Sequence, residues 1–381
     1  MKLKKSLCLI TAAIMTLVMM TSCGSDTNRP ESAIDEAAPS LCEAFKDYFK
    51  VGAAINSWDL SDENSDKYKL ITKHFNTFVM ENETKADHMH PQENTYNFDA
   101  TDKLCEYAEK TGATVRGHCL VWHSQWPGWI FKDGSDEASA DLVVERMKEH
   151  ITTIVTHYKG KIDTWDVVNE VLDGGGMRFS DWLKIVGDYD GDGDKYDFIE
   201  IAFRTAREAD PDARLIINDY SLETDTNKAI KMYNMCKQMM SEGVPVDGVG
   251  LQMHIGIDLD VEQARENIKI LSKLKEYNPN FVIEVTELDM SCFSWGDNST
   301  TIDFKKIEDQ FNEKYCEVFE MFMDLSEEGL LDSVVFWGFN DGNSWLNGTP
   351  EGRVNHPFLI DADLNFKSAF WEVTELPAKR K

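Results

Sequence analysis

The chain is short of positive charge. Lys and Arg number 39 against 68 Asp and Glu, a formal net charge of −29 over 381 residues. That deficit excludes a nucleic-acid partner, because phosphate binding needs a basic face. It equally disfavours electrostatic docking on an anionic membrane. Paired cysteine motifs are lacking too. Cys42, Cys105, Cys119, Cys236, Cys292 and Cys316 are scattered with no C-x-x-C, so a zinc site is not expected. There is no H-E-x-x-H, and the first β-rich run is followed by Asn56-Ser57-Trp58 rather than a glycine-rich phosphate loop. No metal and no cofactor is therefore expected. The acidic excess is not a sign of disorder, since 42% of the residues are hydrophobic, enough for a sizeable core.

The N-terminus stands apart. Lys2, Lys4 and Lys5 precede a mostly apolar run from Leu7 to Met20 and then Thr21-Ser22-Cys23. A basic start, a short apolar stretch and small residues make an export signal over residues 1–22, too short to span a bilayer comfortably. The order around Cys23 resembles a bacterial lipoprotein signal, which implies that Cys23 is lipidated and that lipid chains hold the protein to a membrane. The expected location is outside the cytoplasm, anchored to the outer membrane on its periplasmic or surface face. Residues 23–40, with Pro30 and Pro39 among Ser, Asp and Glu, read as a flexible tether. One folded domain is expected over 41–376, followed by a basic tail over 377–381, the whole as a monomer. Export permits disulfides among the six remaining cysteines, but their spacing does not give a pairing.

From residue 41 onward, short β-rich runs alternate with helical patterns. Eight runs can be read: Val51–Ile55, Phe75–Met80, Thr114–Val121, Thr164–Val168, Arg214–Ile217, Gly248–Met253, Phe281–Val285 and Ser333–Trp337. Between them, Val144, Met147, Ile151, Ile154 and Tyr158 keep helical spacing, as do Val261, Ala264, Ile268, Leu271 and Leu274. Eight strands alternating with helices predict an α/β fold of the (β/α)8, or TIM, barrel type. Such barrels keep their chemistry at the C-terminal ends of the strands.

Almost every predicted strand delivers a polar or aromatic group to that end. The second run leads into Glu81, Asn82 and Lys85; the third carries His118 and Trp122; the fourth ends in Asn169-Glu170. Asn218-Asp219-Tyr220 follows the fifth, Gln252 and His254 close the sixth, Glu287 and Asp289 follow the seventh, and Trp337 ends the eighth with Trp345 beyond. Glu170 and Glu287, on strands four and seven, can face each other across a bound ligand. Glycoside hydrolysis needs such a pair, one carboxyl group to protonate the leaving oxygen and one to attack or stabilise the anomeric carbon.

The motifs are specific. Trp165-Asp166-Val167-Val168-Asn169-Glu170, Glu284-Val285-Thr286-Glu287-Leu288-Asp289 and Arg116-Gly117-His118-Cys119-Leu120-Val121-Trp122-His123 stand in order with the segments above. Over about residues 42–376 the chain resembles glycoside hydrolase family 10, the endo-β-1,4-xylanases. The resemblance implies a retaining enzyme that cuts internal bonds of xylan by double displacement. Glu170 would be the general acid and then the base, and must hold a proton near neutral pH. Glu287 would be the nucleophile. Asn169 would bond the 2-hydroxyl of the sugar at the cleavage point. His254 would touch Glu287, with Asp289 fixing the imidazole from behind. Glu81, Asn82, Lys85, His118 and Gln252 would contact sugar hydroxyls, and Trp122, Trp337 and Trp345 would face the pyranose rings. The implied partner is xylan or a xylo-oligosaccharide.

The chain departs from the family pattern in places. Ala86 stands where the family often has Trp, and Lys367-Ser368-Ala369-Phe370 replaces a common Lys-Pro-Ala-Tyr. Asp188, Asp190, Asp192 and Asp194 alternate with Gly191 and Gly193 as in a calcium loop, but the twelfth position is Ile199 and the acid falls at Glu200. A solvated acidic loop is the preferred reading. His88 and His90 read as loop residues. Two other functions fit the same residues: a retaining β-1,4-glycanase acting on glucan, and a noncatalytic glycan-binding lipoprotein.

Overall fold

The computed structural model describes residues 29–380. Eight parallel strands form the barrel: β1 (Lys50–Ile55), β2 (Thr77–Met80), β3 (Thr114–Trp122), β4 (Thr164–Asn169), β5 (Arg214–Asp219), β6 (Gly248–Leu251), β7 (Val282–Ser291) and β8 (Leu331–Phe336). Each strand pairs with the next, and β8 pairs back on β1, so the sheet closes. Strands covered on both faces read as continuous apolar runs, and these strands are buried along nearly their whole length.

The outer layer contains α1 (Asp66–His74), α2 (Asp99–Thr111), α3 (Ala140–His157), α4 (Asp197–Ala209), α5 (Thr226–Ser241), α6 (Val261–Ser272), α7 (Glu308–Glu327) and α8 (Ser368–Arg380). In α3 the apolar face Val143, Val144, Met147, Ile151, Ile154 and Val155 turns to the barrel, and Ser139 caps its start by accepting the Leu142 N–H. Asp260 caps α6 in the same way, through Gln263.

The lower end of the barrel is closed by charge rather than by hydrocarbon. Arg116 pairs with Glu284, and Arg214 reaches Glu284 at 2.6 Å and Asp332 at 2.8 Å. A buried carboxylate such as Glu284 persists only when paired in this way.

The ends of the chain differ from the sequence reading. Of the tether expected over 23–40, residues 29–40 are described, and they are seated on the fold. Ala33 is fully buried and donates its N–H to Leu364 O at 2.9 Å. His74, at the end of α1, holds this segment at two points. Its Nδ1 accepts the Leu41 N–H at 3.3 Å, so its Nε2 carries the proton toward Ala33 O at 2.7 Å. The basic residues expected as a tail continue α8 to Arg380. The expected signal and Cys23 lie outside the described residues.

Candidate active site

Glu170 directly follows β4 with φ of +56°, a left-handed conformation rare for a residue with a Cβ. The conformation is held from both sides: its N–H donates to Asn218 O at 2.8 Å, and its carbonyl accepts Arg178 Nε at 2.8 Å. Its carboxylate Oε1 accepts Gln252 Nε2 at 3.2 Å, and Oε2 lies 3.8 Å from His123 Nδ1. Glu287 lies within β7 where the register against β8 shifts between Val285 and Leu288, an irregularity that re-aims side chains. Its Oε1 accepts Asn218 Nδ2 at 2.6 Å, and its Oε2 lies 3.2 Å from His254 Nε2.

The two acids belong to one network. Asn169 Oδ1 accepts from Asn218 Nδ2 at 2.9 Å and from Gln252 Nε2 at 3.2 Å, the same two amides that touch Glu287 and Glu170. With Oδ1 so occupied, only the Nδ2 of Asn169 is left to donate to a ligand. The Asn218 amide is itself fixed, because its Oδ1 accepts the Thr286 hydroxyl at 2.6 Å.

The surroundings of Glu287 favour its ionised form. Burial raises the Glu287 carboxyl, but the hydrogen bond from His254, the nearby His118 and the amide of Asn218 outweigh it, holding the group below the ordinary carboxylate value. Burial opposes charge on His254, yet Asp289, 3.0 Å from Nδ1, and Glu287 together raise it to about 10. His254 is therefore an imidazolium at neutral pH between two carboxylates. Trp345 donates Nε1 to Asp289 Oδ2 at 2.8 Å and packs edge-on against the His254 ring, while half of its surface faces solvent.

The sugar-contact candidates line the adjoining sector. Lys85 Nζ donates to Asn82 Oδ1 and to Gln125 Oε1, each at 3.0 Å, and stands 4.9 Å from the Trp122 ring and 5.9 Å from that of Trp337. Glu81 Oε2 accepts Asn56 Nδ2 at 3.0 Å. His118 packs edge-on to Trp337, with its Nδ1 2.8 Å from Asp166 Oδ2 and 4.0 Å from Glu287 Oε1. Asp166 Oδ1 in turn accepts Arg116 at 2.7 Å. A line of polar contacts thus runs from Glu284 at the base through Arg116, Asp166 and His118 to Glu287 at the mouth.

The family model for glycosyl hydrolase family 10 matches residues 40–376. The chain belongs to this family. Endo-1,4-beta-xylanase C of Paenibacillus barcinonensis is 40% identical over 355 residues, which cover 90% of this chain and 32% of that protein. The chain spans about a third of the length of the first curated relatives that it matches. Among solved structures, the GH10 structure from P. barcinonensis superposes with a TM-score of 0.85 at 39% identity, covering 89% of this chain and 98% of that one. The intracellular xylanase TsXylA of Thermoanaerobacterium saccharolyticum, solved as a mutant with xylotriose, gives 0.78 at 38% identity, covering 89% and 99%.

Against the family 10 expectations, the structure brings every candidate side chain to one rim. It adds Asn56, Gln125 and Arg178, which the sequence reading did not select. Asn56 directly follows β1, so the rule that singled out the other strand ends also applies to it. Trp126 packs against Trp182 and His150, and Trp129 against His90. His90 stands in the bend after the short helix Ala86–Met89, as expected of a loop residue, and is buried there, stacked on Tyr96, with its Nδ1 3.1 Å from that of His150; His88 lies within that helix. The acidic loop is divided. Asp188 and Asp190 group with Asp197, and Asp192 and Asp194 group with Glu242, which is not the grouping of a twelve-residue calcium loop. Asp197 Oδ2 instead accepts the N–H groups of Tyr189 and Asp190. All six cysteines among the described residues are unpaired thiols.

Proposed function

We propose that this family 10 chain is a retaining endo-β-1,4-xylanase acting by double displacement. The observation that carries the reading is the different setting of the two acids within one network. The hydrogen bond from His254, the nearby His118 and the amide of Asn218 hold Glu287 below the ordinary carboxylate value, while Glu170 accepts from Gln252 and has its Oε2 3.8 Å from His123. In the first step Glu170 gives its proton to the glycosidic oxygen as Glu287 attacks the anomeric carbon. The bond to the leaving sugar breaks and a covalent ester to Glu287 forms. In the second, Glu170 takes a proton from water, the water oxygen attacks the same carbon, and the ester bond breaks to restore Glu287. Asn169 Nδ2 bonds the 2-hydroxyl during both steps, and Trp122, Trp337 and Trp345 receive the rings.

Xylan as substrate is supported by the names of the relatives and by the xylotriose bound to the T. saccharolyticum enzyme. Glucan carries an extra hydroxymethyl group on each ring, which crowding near Trp337 and Gln252 would disfavour. Reducing-sugar release from xylan and from carboxymethyl cellulose tests this, with xylan expected to dominate. Glu287→Ala should lower turnover by roughly 10³-fold or more, about 4 kcal/mol in the barrier. Azide should then yield an α-xylosyl azide, inverted at the anomeric carbon. Retained turnover in this variant would leave glycan binding as the function. The anchor on Cys23 is part of the proposal, and Cys23→Ser should release the protein from the membrane fraction.

A further inference from the structure

After Glu170 the chain makes a two-residue hairpin, Leu172–Asp173 against Gly176–Met177, and then returns to the rim at Arg178. Arg178 is pinned there. Its N–H donates to Val171 O at 2.8 Å, its Nε to the carbonyl of Glu170 at 2.8 Å, and its Nη2 to the Tyr220 hydroxyl at 2.6 Å. Ser180 is pinned as well. Its hydroxyl caps the short helix Asp181–Ile185 by accepting the Leu183 N–H, and Trp182 in that helix is buried and donates Nε1 to Trp122 O at 2.9 Å. Between these two fixed residues stands Phe179, with 81% of its surface exposed. A phenyl ring on a loose loop can fold back onto the protein. This one is held in water by backbone that is itself bonded to the acid.

Its side of the cleft is chemically distinct. Asn82, Lys85, Trp122 and Trp337, on or just after β2, β3 and β8, meet around the Lys85 ammonium, and Glu81 beside them accepts Asn56. The loops after β4 and β5 carry Arg178, Phe179 and Tyr220 instead. Glu170 directly follows β4, and the oxygen it protonates departs with the downstream sugar, so that sugar passes over these loops. We propose that Phe179 is a substrate-binding residue for the leaving-group side, an aromatic platform for a xylopyranose ring downstream of the cut. The faces of pyranose rings are largely C–H and stack on aromatic surfaces. A phenyl ring brings no polar edge of its own, so it favours any unbranched stretch of chain without selecting a particular hydroxyl.

The inference rests on the xylanase reading, and the experiment separates the two. The ratio of kcat/KM for xylopentaose to that for 4-nitrophenyl β-xylobioside, whose leaving group is not a sugar, is measured for the parent, Phe179→Ala and Phe179→Trp. Phe179→Ala should lower the ratio roughly tenfold, about 1.4 kcal/mol, and Phe179→Trp should keep it within about twofold of the parent (~0.4 kcal/mol). In Phe179→Ala, end-labelled xylopentaose should be cut nearer its reducing end. A parent active on xylopentaose with an unchanged ratio in Phe179→Ala, whether both rates fall together or neither falls, overturns the role of Phe179 alone. A parent that leaves xylopentaose intact overturns the xylanase reading with it.

Discussion

Replacing Asp289 with Asn removes one of the two charges that hold His254 as a cation. The rise of that imidazole from 6.5 to about 10 corresponds to roughly 5 kcal/mol of preference for the protonated ring. Asp289, 3.0 Å from Nδ1, is the largest contributor against the cost of burial, ahead of Glu287 at 3.2 Å from Nε2. With Asn in place, burial remains and the main counter-charge is gone, so the ring should lose its proton well below pH 10. Above that new pKa, Glu287 faces a neutral imidazole and its own carboxyl rises. The expected outcome is a new loss of kcat/KM on 4-nitrophenyl β-xylobioside as pH climbs from about 6 to 9, reaching roughly 10- to 100-fold, or about 1.4–2.8 kcal/mol. NMR titration of His254 in parent and variant gives the pKa directly. A variant whose rate profile has the parent's shape across that range, or whose His254 still titrates near 10, would refute the assignment of Asp289 as the residue that positions and charges this ring.

Further outcomes follow from packing and burial. A Cβ on Gly250 would fall 2.4 Å from Asn218 Oδ1 and 2.9 Å from Thr286 Cγ2, so Gly250→Ala should displace the amide that donates to Glu287. Turnover should fall about tenfold or more, with a folding cost of about 1–3 kcal/mol by denaturant titration. Unaltered kinetics would show that the amide position is not critical. Lys228 Nζ lies 2.7 Å from Asp219 Oδ1 with both groups buried, so Lys228→Met should cost about 3–5 kcal/mol. Much of that should return when Asp219→Asn is added, and a simply additive pair would argue against the ion pair. Burial lowers His74 from 6.5 to about 4. The unfolded chain therefore takes up this proton first, and stability should decline by about 3 kcal/mol as pH falls from 6.5 to 4. Thermal melts of His74→Asn should be less sensitive to pH over that window than those of the parent.

The barrel was legible because its strands are covered on both sides, which leaves short, mainly apolar runs in the sequence. The boundaries were less so. Phe75 reads as strand but closes α1, and Val285 reads as the end of a strand that continues to Ser291 because Leu288 and Met290 still pack in the core. At the site, groups adjoining the strand ends were legible from position alone. Arg178 was not, since its purpose lies in a carbonyl eight residues earlier and a hydroxyl on another strand's loop. The burial of His90 was hidden for a similar reason: its partner His150 is 60 residues away and no local spacing announces the pair. The apparent tether hid the contact between Ala33 and His74, which lie 41 residues apart.

The column of polar contacts along the barrel axis has a practical consequence. In folds of this kind the upper face is commonly treated as the seat of reactivity and the base as scaffolding that can be redesigned freely. Here Arg214 and Asp332, both reachable from solvent, are joined through Glu284 and Arg116 to the same buried ladder that ends beside Glu287. Efforts to harden this protein against heat by rewriting charges on its underside would retune its reacting centre as well, and should be screened for rate as strictly as for melting.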